Sequence, residues 1–294
     1  MHVAAQAALP PALPPVENCA KLPLLTDMAL SPDGKQFAAL MNIEGTMTLV
    51  TRDVAGTELR AILNSDNRRY HYNWVSWVGN QRLLASVRLA AQRYSVGTVE
   101  TRLVSIRSNG TDQKELVKHS PFDRDPVAQI QDRVVDWLPD DGEHVPLQLR
   151  DTDGWEPAVY KVSAETGKRT LVHGSQRGVW QWITDANHRV CVGERLRDSE
   201  RSVIACDPDG RNWRTLWTFK NFAREAVTPL GFGRNPQELF VSADHEGRAA
   251  VFAVDLGSPE LRRVLRLAHP TLDVEGALLR SPASGEVLAC AAAR

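Results

Sequence analysis

Apolar and polar residues alternate along this chain in short runs, each closed by Gly, Pro, Asn or Asp. Thr48-Leu49-Val50, Arg102-Leu103-Val104-Ser105-Ile106, Ala158-Val159-Tyr160-Lys161-Val162, Val203-Ile204-Ala205 and Val251-Phe252-Ala253-Val254 follow a period of two, the signature of a half-buried strand. One kind of turn recurs at Ser31-Pro32-Asp33-Gly34-Lys35, Val78-Gly79-Asn80-Gln81, Pro139-Asp140-Asp141-Gly142-Glu143, Thr184-Asp185-Ala186-Asn187-His188, Gly233-Arg234-Asn235-Pro236-Gln237 and Ser281-Pro282-Ala283-Ser284-Gly285-Glu286. Each lies between two apolar runs, such as Met28-Ala29-Leu30 and Phe37-Ala38-Ala39-Leu40. That arrangement predicts hairpins, because Asp, Asn and Gly tolerate positive φ. A second kind of turn interleaves with the first: Asp53-Val54-Ala55-Gly56-Thr57, Ser108-Asn109-Gly110-Thr111, Ser163-Ala164-Glu165-Thr166-Gly167-Lys168, Asp207-Pro208-Asp209-Gly210 and Asp255-Leu256-Gly257-Ser258. The runs after it (residues 59–62, 115–117, 170–172, 213–216 and 261–265) read as short outer strands.

Two turns per period place four strands in each repeat of about 45–60 residues, which is the blade of a β-propeller. The fold class expected is therefore all-β. Five full blades fit between residues 26 and 267, and a sixth begins near Leu272 and is cut off. No stretch is long enough for the helix of a leucine-rich repeat, whereas a two-sheet sandwich is an alternative arrangement of short strands with regular turns. Trp77, Trp137 and Trp182 each precede a turn of the first kind, which assigns them to cores between blades, where bulky side chains recur at equivalent places. Trp74, Trp155, Trp180, Trp213 and Trp217 are less regular, and one or two of them are candidates to line an opening.

The propeller is expected over residues 21–294, incomplete at its C-terminal end, after an extended Ala/Pro-rich arm over residues 1–20. Ala5-Gln6-Ala7 in that arm has the small-x-small form of a signal-peptidase site, without an apolar or basic region before it. The arm reads either as the remnant of a secretory leader or as a low-complexity tail. The first reading implies a periplasmic or secreted protein, the second leaves a cytoplasmic one. Among 294 residues, 35 Lys+Arg stand against 36 Asp+Glu, a net charge of −1, with 43% hydrophobic residues. This balance excludes a disordered chain and leaves no basic excess for nucleic-acid binding through counterion release. No stretch approaches the roughly 20 apolar residues of a membrane-spanning helix.

The opening, Leu24-Leu25-Thr26-Asp27-Met28-Ala29-Leu30-Ser31-Pro32-Asp33-Gly34-Lys35 followed by Phe37-Ala38-Ala39-Leu40, resembles the first propeller blade of prolyl-oligopeptidase-family (S9-type) serine peptidases. Trp74-Val75-Ser76-Trp77-Val78-Gly79-Asn80-Gln81-Arg82-Leu83-Leu84 and the pair Pro157-Ala158-Val159-Tyr160-Lys161-Val162 and Glu165-Thr166-Gly167 are similar to that family's second and third blades. The resemblance spans about residues 20–290 and implies a propeller that caps a partner α/β-hydrolase domain, admitting small peptides to a Ser-Asp-His triad there. The family's nucleophile sits in a Gly-x-Ser-x-Gly elbow. This chain has no such motif: Gly174-Ser175-Gln176-Arg177-Gly178 has the wrong spacing and follows an outer strand. No catalytic residue is carried over, and the catalytic domain is expected outside these residues. Ser-Pro-Asp-Gly turns also occur in TolB-like and WD40-like propellers, so a stand-alone scaffold binding a protein partner is the rival reading. An enzymatic propeller such as a lactonase needs clustered acids or metal ligands, which the sequence does not place.

Cys191 and Cys206 lie on two arms of one hairpin, equidistant from Asp198-Ser199 and therefore directly opposite. They read either as a disulfide or as two small buried apolar residues. Cys19 and Cys290 sit near opposite ends. Metal and cofactor sites are not expected. The His residues show no metal-ligand spacing, and Asp151-Thr152-Asp153-Gly154 lacks a Glu at the twelfth position of a calcium loop, where Val162 stands. Asp140, Asp141 and Glu143 read as solvated turn acids rather than paired catalytic carboxylates, which need burial or a charge partner. Asn109-Gly110-Thr111 fits a glycosylation acceptor and equally a conformational turn.

Overall fold

The computed structural model describes residues 21–93, 95–117, 129–150, 156–207, 209–281 and 285–293, so the N-terminal arm, Cys19, Trp155 and the 151–154 segment lie outside the described residues. The described chain is all β, with no helix. Each sheet is a meander with neighbouring strands antiparallel. The first contains β1 (Leu25–Leu30), β2 (Gln36–Ile43), β3 (Thr46–Asp53) and β4 (Arg60–Asn64), in sequence order. The second contains β5 (Tyr70–Val78), β6 (Arg82–Arg93), β7 (Val96–Arg107) and β8 (Lys114–Glu115). The third has three strands, β9 (His144–Arg150), β10 (Pro157–Ser163) and β11 (Arg169–His173).

Where the pattern predicts an innermost strand for the third blade, the chain makes a single bridge, Val134 to Leu147. It is supported by Val135 N–H donating to Pro146 O at 2.8 Å and Gln148 N–H to Arg133 O at 2.9 Å. Four strands return in the next two sheets. One holds β12 (Val179–Thr184), β13 (Val190–Arg197), β14 (Glu200–Cys206) and β15 (Trp213–Lys220); the other holds β16 (Thr228–Phe232), β17 (Glu238–His245), β18 (Arg248–Asp255) and β19 (Arg263–Leu267). A two-stranded sheet, β20 (Asp273–Arg280) and β21 (Val287–Ala293), follows. This is the expected propeller, with four of its five blades four-stranded, the third three-stranded, and a two-stranded sheet after them.

Alternation along each strand puts successive side chains into two different cores, because consecutive residues point to opposite faces of a sheet. In β6, Leu83 and Ala85 pack toward the first blade with Leu40, Leu49 and Trp77, while Leu84 between them packs toward the third with Leu147 and Val162. In β17, Leu239 and Val241 join Val192 and Val203 of the fourth blade, while Phe240 meets Val274 and Leu278 of β20. Five clusters thus fill the five interfaces between consecutive blades. Burying these side chains contributes about 1.5–3 kcal/mol each relative to exposure.

Two of the three predicted core tryptophans play equivalent parts. Trp77 in β5 donates its indole N–H to Ala29 O at 2.9 Å, and Trp182 in β12 donates to Pro157 O at 2.7 Å, each reaching back to the preceding blade. Trp182 lies flat enough on β13 that a β-carbon at Gly193 would come within 2.8 Å of its ring. On the outward faces of the first and last sheets, apolar side chains remain exposed: Met28 and Leu30 on β1, Leu279 on β20 and Leu288 on β21.

Candidate functional site

The innermost strands converge on a central cavity of about 1100 Å³, lined from β5, the 132–137 segment, β12, β16 and β20. Trp137 belongs to this cavity and not to a core between blades. It is 38% exposed, against 6% for Trp77 and 3% for Trp182. The reason is local. Its segment forms one bridge instead of a strand, and the next residue, Leu138, turns at φ +43°, so the side chain is released from the blade face. Its ring meets Trp74 edge to face, centroids 5.7 Å apart, and the two indoles form an apolar wall.

Charged side chains line the same cavity. Asp136 Oδ2 accepts the Thr184 hydroxyl at 2.8 Å and His188 Nδ1–H at 2.9 Å, and Oδ1 accepts Leu138 N–H at 3.2 Å. Donation from Nδ1 leaves Nε2 of a neutral His188 as an acceptor. Thr184 ends β12 and His188 closes the following turn in the left-handed region, at φ +62°. The third and fourth blades are therefore clamped by one carboxylate at the rim of the cavity. From β20, Arg280 donates its Nε–H to Phe232 O at 2.8 Å. Burial pushes its guanidinium pKa down, while the nearby Asp136 carboxylate works the other way and favours the charge. The cavity lining thus carries the carboxylates of Asp132, Asp136 and Asp185, the guanidinium groups of Arg133, Arg234 and Arg280, the His188 imidazole and the Trp74 and Trp137 rings.

The turn acids of the third blade form a structural cluster away from this cavity. Asp141 accepts from His144 Nδ1 and from Lys161 Nζ, both at 2.7 Å. Burial opposes its ionisation, but the Lys161 and His144 bonds outweigh it and hold the carboxyl well below the usual carboxylate range. Glu143 accepts the hydroxyl of Ser163 at 3.1 Å. Asn109 Oδ1 accepts the N–H and hydroxyl of Thr111 at 3.0 and 2.7 Å, the geometry of an Asx turn. Cys191 and Cys206 face each other as the hairpin register requires, one step beyond the pair Val192↔Ala205. Their sulfurs are 2.8 Å apart and both are thiols. Cys290 is half-buried on β21, bonded to Gly276 O at 3.5 Å.

Asp136, His188 and Arg280 carry no motif, and sequence reasoning did not single them out as site residues. One usable signal was Gly231-Phe232-Gly233, a glycine-rich break in an innermost strand that marks close approach by another group.

No protein-family model matches the chain. Over 279 residues it is 24% identical to dipeptidyl aminopeptidase BIII of Pseudoxanthomonas mexicana, an alignment that takes in 91% of this chain and 36% of that protein. The chain thus spans about a third of the length of the curated relative it matches. Among solved structures, a prolyl endopeptidase superposes with a TM-score of 0.54 at 11% identity, over 89% of this chain and 38% of the other. Dipeptidyl peptidase 4 of Porphyromonas gingivalis also gives 0.54, at 12% identity, over 90% and 45%. With its successive antiparallel sheets and these likenesses, the chain is a β-propeller similar to the propeller portion of prolyl-oligopeptidase-family serine peptidases.

Proposed function

We propose that this chain is the substrate-gating portion of a serine peptidase of that kind, admitting and orienting short peptides while bond cleavage takes place on a separate α/β-hydrolase domain. The observation that carries this reading is the sequence match to a dipeptidyl aminopeptidase along nearly the whole chain. The cavity supports it chemically. A peptide with free ends bears an ammonium and a carboxylate, complementary to Asp136 and Arg280, and its side chains find the Trp74 and Trp137 faces. Such a site is mostly apolar with a few placed polar groups, the usual form of a small-ligand pocket.

The test is a titration of the chain with tripeptides, read by tryptophan fluorescence. Free tripeptides are expected to quench the signal saturably, with weaker binding for Asp136→Asn and Arg280→Met and a smaller quench for Trp137→Phe. The chain alone is expected not to turn over peptidyl chromogenic substrates. Equal titration curves for free and end-blocked peptides, or turnover abolished by a serine-directed inhibitor, defeats the reading. Retention of a protein partner without any peptide response favours a scaffold instead.

A further inference from the structure

Cys191 and Cys206 take no part in the cavity chemistry, yet their placement is specific. Both are buried, at 4% and 7% exposure. They lie opposite each other on β13 and β14, and the Cys206 thiol donates to Cys191 Sγ at 2.8 Å. A disulfide bond is about 2.05 Å long, so closure needs an approach of under about 1 Å, within the reach of side-chain rotation on a fixed hairpin. A second cavity, of about 60 Å³, opens directly onto the two sulfurs and is walled by Arg189, Asp207, Arg214 and Gln237. That volume admits a few water-sized molecules and excludes a glutathione-sized one. The Arg189 guanidinium, pinned by Asp185 Oδ2 at 2.6 and 3.0 Å, stands beside it.

We propose that Cys191 and Cys206 are an oxidisable dithiol, which a small peroxide entering this cavity converts to a cross-strand disulfide locking the fourth blade. In the first step Cys191 sulfur attacks one peroxide oxygen. The O–O bond breaks, and the products are a sulfenic acid and one water. In the second, Cys206 sulfur displaces the hydroxyl from that sulfenic acid, so that the S–S bond forms as the S–O bond breaks and a second water leaves. Two thiols lose two electrons and two protons, and hydrogen peroxide is reduced to two waters. The order of attack follows from the hydrogen bond, because Cys206 S–H donates to Cys191 and stabilises its thiolate, lowering the Cys191 pKa and raising that of Cys206. Arg189 also favours the Cys191 thiolate, and the Asp185 carboxylate opposes it.

The experiment treats the full chain with hydrogen peroxide, removes the peroxide, unfolds the protein in denaturant with N-ethylmaleimide to block remaining thiols, and maps tryptic peptides by mass spectrometry. A cross-link joining Cys191 to Cys206, about 2 Da lighter than the two thiol peptides, is expected, together with a Tm raised by a few degrees that dithiothreitol reverses. In Cys206→Ser the sulfenic acid on Cys191 has no resolving thiol and is expected to be trapped by dimedone present as the oxidised protein is unfolded in denaturant, while Cys191→Ser treated alike gives no dimedone adduct at Cys206. N-ethylmaleimide on both residues after peroxide, a cross-link through Cys19 or Cys290 instead, or oxidation of Cys206 ahead of Cys191 overturns the proposal. The wild-type map decides even where a variant folds poorly.

Discussion

Gly231 and Arg280 occupy each other's space. Gly231 sits at φ +126°, a backbone region that residues with a β-carbon rarely adopt, and a β-carbon built there would lie 2.6 Å from Arg280 Nη2. The guanidinium passes over this bare stretch of β16 on its way to Phe232 O, 2.8 Å away. Glycine at this point is what brings a cation from the sixth blade into the wall of the cavity.

Gly231→Ala is expected to destabilise the protein by about 1–3 kcal/mol, chiefly through backbone strain at its positive φ, with a further contribution from displacing the Arg280 guanidinium. The two contributions separate in a double-mutant cycle with Arg280→Ala. Chemical denaturation should show the double variant losing less than the sum of the single losses. Strict additivity would mean that the clash is relieved elsewhere and that Gly231 acts through its backbone angle alone.

Trp182 and Trp137 stand at the same place before their turns, but their truncations should differ widely. Trp182→Ala removes a buried ring packed on Gly193 and an indole bond to Pro157 O, a change that costs about 3–5 kcal/mol for a buried aromatic. Trp137→Ala removes a partly exposed ring at the cavity and should cost under about 1 kcal/mol. Unfolding in urea measures both. Equal losses would return Trp137 to a core between blades.

Acid should weaken the protein below the ordinary carboxylate range through Asp112 and Asp141. Hydrogen bonds from Arg82 and Lys114 lower the Asp112 carboxyl to about 2, and Asp141 is also held low through Lys161 and His144. For a group whose folded pKa lies below its unfolded one, the unfolded state binds more protons across that interval, so stability is present above the unfolded value and is lost as pH falls toward the folded one. The loss should fall between about pH 4 and pH 2, and it should flatten in Asp112→Asn and Asp141→Asn when Tm is followed against pH. A variant whose profile matches the parent's in that window would show that its ion pairs add nothing to the fold.

The blades were legible from sequence because a blade is a local object. Its four strands are consecutive, and its hairpins are closed by residues chosen for positive φ. Successive residues of a strand feed opposite faces, so that Leu83 and Ala85 fill one core and Leu84 the next. The opposition of Cys191 and Cys206 follows from the same locality, since register in a hairpin is set by its turn. The third blade shows where this ends. Residues 130–136 follow the expected spacing, but they make one bridge only, and Trp137 leaves the position its sequence place implies.

What the residues alone determined is the succession of blades and the hairpins within them. What only the tertiary structure decided is the cavity. Asp136 meets Thr184 and His188 across separations of 48 and 52 residues, and Arg280 reaches Phe232 across 48. These partners lie on different blades, and their meeting depends on how each blade is rotated about the common axis. That rotation is the summed result of five packed cores, and no local run of residues encodes it.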